Sequence, residues 1–219
     1  MELKGKKIAF LGDSITEGSG VLDLSNRYDN RLFRMCGLSA VFNYGIGGTR
    51  FAHQSRPSEK PRYDLCFSGR VYDLDKSADI IVVYGGTNDY GHGDAPFGTL
   101  ADTTPATFCG AVRFLMTTLR EEYPAATVVF LAPARRYGDE AVSHQRAGDP
   151  EAKPLICYVD TVKTIAKEFD IPVLDLYREL GIDPNSEEVR EKYSRDGLHL
   201  NDAAHAILAE KVKELLESI

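Results

Sequence analysis

The sequence predicts an α/β protein, a three-layer α/β/α sandwich built on a parallel sheet of about five strands. Three observations carry this expectation. Short apolar runs recur along the 219 residues, and segments with helical spacing separate them. Several runs are apolar at consecutive positions, the pattern of strands covered on both faces. Hydrophobic residues make up 43% and charged residues 27%, which supplies a sizeable core beneath a solvated surface. At this length the chain fits one domain, residues 1–219.

The first strand is KIAFLG (7–12). A helical pattern over 26–37 leads to the second, AVFNYG (40–45). A polar, irregular stretch, 50–77, precedes the third strand, DIIVVYG (79–85). A helix over 106–123 precedes TVVFLAP (127–133), and a second polar stretch, 134–152, precedes a helix over 153–170. PVLDL (172–176) is the fifth strand, and a helix over 203–218 follows. In that last helix Ala203, Ile207, Val212, Leu215 and Leu216 lie close to one stripe, with Asn201 or Asp202 as N-cap. The two polar stretches are long for plain connections and are expected to act as lids or substrate-contacting loops. No linker, repeat or low-complexity segment interrupts the pattern.

Charge and cysteine usage narrow the function classes. The net charge is −7, and Arg135-Arg136 is a pair rather than a basic cluster. This argues against a nucleic-acid or anionic-membrane partner. The opening residues MELKGKK are followed by an apolar run, IAFLG. That run is about half the length of a secretion h-region, and no small-residue cleavage site follows. No segment has transmembrane length. A cytoplasmic protein without integral membrane association is therefore expected. Cys36, Cys66, Cys109 and Cys157 are far apart and form no CxxC pair. They read as reduced core residues rather than metal ligands.

Four small clusters sit at strand or loop ends, where open α/β sheets place their sites. Gly12-Asp13-Ser14-Ile15-Thr16-Glu17-Gly18 follows the first strand. It puts a hydroxyl beside turn N–H groups that can stabilise an anion. Asn43-Tyr44-Gly45-Ile46-Gly47-Gly48-Thr49 ends the second strand. Its glycines allow close backbone approach, but Arg50 breaks a dinucleotide-binding GxGxxG. Gly85-Gly86-Thr87-Asn88-Asp89 closes the third and offers a carboxamide of the kind that serves an oxyanion hole. Asp196-Gly197-Leu198-His199-Leu200-Asn201 precedes the last helix. An Asp and a His three residues apart on a turn can set a carboxylate against an imidazole, leaving Nε2 free to take a proton. His53, His92, His144 and His205 lack this local pairing. Each cluster alone reads equally well as a cap, a glycine turn or an Asx-turn. Together they supply a nucleophile, a base, an orienting acid and oxyanion donors.

These clusters, in this order, resemble the four blocks of the GDSL/SGNH hydrolase family of esterases, lipases and acylhydrolases. The resemblance runs from Gly12 to His199. It implies the SGNH hydrolase fold, a flavodoxin-like sandwich, and catalysis by Ser14, Asp196 and His199. It also implies an oxyanion hole of Ser14, Gly48 and Asn88, with Gly47 as a weaker competitor for the glycine. The first block reads GDSI where the family name has GDSL, and the second block is the loosest match.

The expected activity is a serine esterase or acylhydrolase that works through an acyl-enzyme, with no organic cofactor and no metal. The substrate expected is a small-molecule or carbohydrate ester, short-chain or acetyl. Arg50, Arg56, Arg62, Tyr63 and Arg70 hint at a polar substrate, although solvated arginines are the simpler reading. Asp13 and Asp89 read as structural residues of their turns. Two alternatives share part of this pattern. An acyltransferase would use the same triad with an alcohol in place of water. A non-catalytic flavin- or nucleotide-binding module would share the sandwich, but leaves DGLHLN without a role.

Overall fold

A computed structural model describes residues 1–219. The five apolar runs form one parallel sheet of β1 (Lys7–Gly12), β2 (Ala40–Gly45), β3 (Ile80–Tyr84), β4 (Thr127–Ala132) and β5 (Val173–Asp175). The strand order is β2-β1-β3-β4-β5. The register pairs Gly12 with Gly45 on one side and with Tyr84 on the other, so three strands end level with one another. The chain leaves β1 towards β2 and then crosses back to β3. The crevice at this reversal is where such sheets bind ligands.

Side chains alternate between two apolar layers. Ala9, Leu11, Ile81, Val83 and Phe130 face one layer, which α5 (Phe108–Glu122) and α6 (Leu155–Glu168) cover. Ile8, Phe10, Ile80, Val82 and Val129 face the other, beneath α2 (Tyr28–Cys36) and α9 (Asp202–Ser218). Each large apolar side chain so enclosed contributes roughly 1.5–3 kcal/mol. This explains why consecutive positions of the strands are apolar.

The structure departs from the sequence reading in four places. β5 stops at Asp175, because that carboxylate accepts from the Arg178 N–H at 3.2 Å and starts a one-turn helix, α7 (Leu176–Glu179). In α9, which follows α8 (Glu187–Tyr193), the buried stripe is Ala204, His205, Leu208, Ala209, Val212 and Leu216, while Ala203 is exposed. The polar His205 hides one position of this stripe from a hydrophobicity reading. Asn201 is the N-cap, accepting from the N–H groups of Ala203 and Ala204 at 3.1 Å. The stretch 50–77 is not wholly irregular, since it holds α3 (Phe67–Arg70) between 3-10 turns. It is anchored by Phe51 and Phe67, whose rings meet edge-to-face at 4.8 Å. Finally, Cys66 and Cys109 are buried thiols, but Cys36 and Cys157 are only half-buried. No helix is long and apolar enough to cross a membrane.

Candidate active site

The turn after β1 begins with Asp13, whose carboxylate accepts from the Ile15 N–H at 3.0 Å. This cap starts α1 (Ser14–Glu17), so Ser14 is the first residue of a single helical turn. The turn can settle onto the sheet because the strands beneath it end in glycine. A Cβ on Gly45 would overlap the backbone of Thr16 and Glu17, and one on Gly12 would overlap the Thr16 side chain. Asp13 itself is buried, and its Oδ2 has no hydrogen-bond partner. Burial pushes its carboxyl up to about 6, against the Ile15 hydrogen bond and the nearby His199, which pull it down.

His199 arrives from the far end of the chain. Its Nε2 lies 2.9 Å from Ser14 Oγ, and its Nδ1 lies 2.5 Å from Asp196 Oδ2. The other Asp196 oxygen accepts from the backbone N–H groups of Leu198 and His199, at 3.0 and 2.7 Å. Burial raises the Asp196 carboxyl, but hydrogen bonds from His199 and Leu198 outweigh it and hold the group well below the carboxylate range. Gly197 makes the tight turn with φ +75°. It is tied to neighbouring segments by bonds from Tyr137 N–H to Gly197 O and from Gly197 N–H to Ser194 O, both 2.8 Å.

Two further donors flank Ser14. Gly48, at φ +79°, has a backbone N–H with no partner in the protein, whereas the Gly47 N–H is spent on Glu17 Oε2 at 2.8 Å. The left-handed conformation at Gly48, and the Tyr63 ring packed where a Cβ would go, both demand glycine there. Asn88 lies in α4 (Thr87–His92), and its Nδ2 donates to Thr49 O at 3.0 Å, which leaves its second N–H unengaged. Asn88 Oδ1 lies 3.2 Å from His92 Nε2, while His92 Nδ1 lies 3.4 Å from Arg50 Nη1. A guanidinium can only donate, so Nδ1 accepts and the His92 proton sits on Nε2. Burial, helped by Arg50 and Arg136, lowers His92 to about 4 and keeps it neutral. Next to Asn88, Asp89 accepts from the N–H groups of Phe51 and Ala52 at 2.9 and 3.1 Å, and so pins the loop after β2.

Ser14, His199, Asp196, Gly48 and Asn88 are therefore brought together, the first three as one continuous hydrogen-bonded chain. The cleft around them has a volume of about 570 Å³. Glu17, Lys60, Arg62, Tyr63, His92, Arg136, Gln145 and Leu198 are among the other residues that line it. Both polar stretches thus reach the cleft. Of the five residues read as hints of a polar substrate, only Arg62 and Tyr63 do so. Arg50 and Arg70 are not solvated. Arg50 is buried against Ser58, Tyr63 and Asp64, and Arg70 ties Leu65, Tyr44, Gly12 and Thr49 together. His92, dismissed for want of a local partner, is one helical turn beyond Asn88, and that spacing would have exposed the pairing had α4 been recognised. His53 and His144 are exposed outside the cleft. No group of three or more His, Cys, Asp or Glu side chains is placed to hold a metal ion.

No curated protein matches the chain. Among solved structures, one aligns with a TM-score of 0.85 and 30% identity over 100% of this chain and 99% of its own. A protein from Lactobacillus plantarum aligns at 0.83 and 29% identity, with 98% of each chain covered. A lipase/acylhydrolase from Enterococcus faecalis shares the fold, at a TM-score of 0.61 and 20% identity over 97% of this chain and 96% of that one. The model of the GDSL-like lipase/acylhydrolase family matches residues 10–207, which contain every residue of the cleft. The chain belongs to the GDSL-like lipase/acylhydrolase family.

Proposed function

We propose that the protein is a serine esterase that cleaves a carboxylic ester through an acyl-enzyme, with Ser14 as nucleophile, His199 as general base and acid, and Asp196 as the orienting acid. The observation that carries this reading is the unbroken series Ser14 Oγ, His199 Nε2, His199 Nδ1, Asp196 Oδ2, with contacts of 2.9 and 2.5 Å. With Nδ1–H committed to Asp196, the lone pair on Nε2 faces the serine hydroxyl and takes its proton as Oγ attacks the ester carbonyl. The Asp196 charge stabilises the imidazolium that results. The carbonyl oxygen gains negative charge and is met by the N–H groups of Ser14 and Gly48 and by the free N–H of Asn88. His199 then hands its proton to the departing alcohol, and water releases the acid by the reverse sequence.

The cleft walls favour a short acyl group over a long one. Leu198 and Tyr63 carry the apolar surface, and the remaining lining is glycine or polar. A long alkyl chain would find few apolar partners there, whereas an acetyl group on a polar alcohol or carbohydrate fits. His92 acts through Asn88 as a positioning residue, because its Nε2–H fixes which end of the carboxamide faces the cleft.

The test is p-nitrophenyl acetate hydrolysis by the wild type and by Ser14→Ala. The expected result is measurable turnover in the wild type and a loss of about 10³-fold or more in the variant. Equal rates in the two proteins would remove Ser14 as nucleophile and the proposal with it. A series of acyl chain lengths should show kcat/KM falling beyond butyrate.

A further inference from the structure

We propose that the substrate carries a carboxylate, which Arg136 binds with Lys60 as a second contact; this rests on reading the same cleft as an esterase site.

Two adjacent arginines behave in opposite ways. Arg135 is ion-paired with Asp139, Glu140 and Asp183, at 3.1, 2.8 and 2.8 Å. Arg136 lines the cleft and makes its hydrogen bonds through Nη1 alone, to Thr87 O and Thr87 Oγ1, both at 3.2 Å. Its Nε and Nη2 donate to no group of the protein, and no carboxylate lies within salt-bridge distance of it. The side chain is nevertheless held in place. Its backbone N–H donates to Asp139 Oδ2 at 3.0 Å, and the guanidinium lies over the Tyr90 ring, 5.3 Å from the centroid. Gly91 makes room for it, since a Cβ there would come within 2.9 Å of Nη1. Burial pulls the Arg136 pKa below its ordinary value and outweighs the opposing pull of Tyr90 and of the carboxylates of Asp13, Asp196 and Asp139, none of which pairs with it directly.

The other charges of the cleft do not supply that anion. Glu17 is spent twice, with Oε1 on Arg62 at 2.6 Å and Oε2 on the Gly47 N–H at 2.8 Å. Asp196 is engaged by His199, and Asp13 is buried, bonds the Ile15 N–H through Oδ1 and makes no ion pair with Arg136, although its Oδ2 is without a partner. Lys60 has no acidic partner; its Nζ rests 3.4 Å from Tyr63 Oη. Two cations without an ion-pair partner therefore line the same cleft as Ser14, in a chain whose net charge is −7. A clamp on Thr87 needs only Nη1, so a purely structural role leaves half of the guanidinium unexplained. The free edge of a fixed, planar guanidinium suits the two oxygens of a carboxylate.

The experiment uses two matched ester pairs. One places the charge on the alcohol, 4-acetoxybenzoate against 4-acetoxybenzamide. The other places it on the acyl group, mono-4-nitrophenyl adipate against 4-nitrophenyl hexanoate. Hydrolysis is followed with the wild type, and binding to Ser14→Ala is measured by calorimetry. In at least one pair the anionic ester should show about a tenfold higher kcat/KM and a correspondingly lower Kd, the scale of one charge-assisted hydrogen bond. Raising NaCl from about 0.05 to 0.5 M should shrink the preference, because exposed charges are screened. Arg136→Gln and Lys60→Gln should each move the anionic-to-neutral ratio towards one. Ratios at or below one in both pairs, in catalysis and in binding, would overturn the proposal while leaving an active esterase in place. Selective binding of the anionic ester without turnover of any would keep the carboxylate site and remove the esterase reading.

Discussion

The side of the cleft proposed to hold the oxyanion makes the sharpest demands on single residues. The Asn88 amide has two N–H groups and a carbonyl, and only one orientation leaves a donor for the substrate. His92 sets that orientation through the 3.2 Å contact to Oδ1, and Arg50 in turn sets the tautomer of His92. Asn88→Ala should lower kcat by about 10²–10³-fold with little change in KM, since the lost bond forms in the transition state. His92→Ala should lower kcat by about tenfold, the worth of one hydrogen bond that no longer holds the amide in place. In the Asn88→Ala background the second substitution should cost almost nothing further. A His92 effect that persists there would mean the ring acts on the fold and not on the carboxamide.

At the scale of elements, the site rests on how closely α1 and α9 pack. α1 lies over strand ends that carry no side chain, so Gly45→Ala should force the Thr16–Glu17 backbone away from β2. Overpacking of this kind costs about 1–3 kcal/mol, visible as a Tm several degrees lower, and kcat should fall with it. α9 is fastened to α2 by His205, whose Nδ1 accepts from the Tyr28 N–H at 3.2 Å while its ring stacks on Tyr28 at 5.9 Å. Burial lowers this histidine from 6.5 to about 4. Below pH 6.5 the unfolded chain therefore takes up a proton that the folded chain refuses until about pH 4. The stability is complete above pH 6.5 and drains away as the pH falls towards 4, with about 2–3 kcal/mol of it lost by pH 4.5. Urea unfolding at pH 7.5 and 4.5 should show the advantage of wild type over His205→Gln shrinking by that amount. An advantage independent of pH would show that His205 does not stay neutral in the fold. The same residue shows why the α9 stripe was misread. Polarity made position 205 look exposed, whereas its environment made it part of the core.

For the whole molecule, what could be read from sequence follows the range over which each signal acts. The strands were legible because burial on both faces writes itself into five or six adjacent residues. The four sequence blocks that meet at the cleft were legible because each occupies one short turn, with its glycines and caps beside the polar residues. The walls of the cleft were not. Lys60, Arg136 and Gln145 come from loops without periodicity, and only the folded chain shows that they line the same cleft as Ser14. One-turn helices such as α1 and α4 are too short to show a stripe at all. The hydrogen bond between Ser14 and His199 spans 185 residues of sequence, and this has a consequence for biosynthesis. The hydroxyl is made before the imidazole, with all five strands in between or adjoining. A ribosome-bound chain that has not reached His199 holds a serine with no imidazole beside it, which on the proposed mechanism has no base to take its proton. On the proposed mechanism reactivity therefore waits until all five strands have been made and the turn carrying His199 lies against Ser14, so completing the fold and acquiring reactivity coincide.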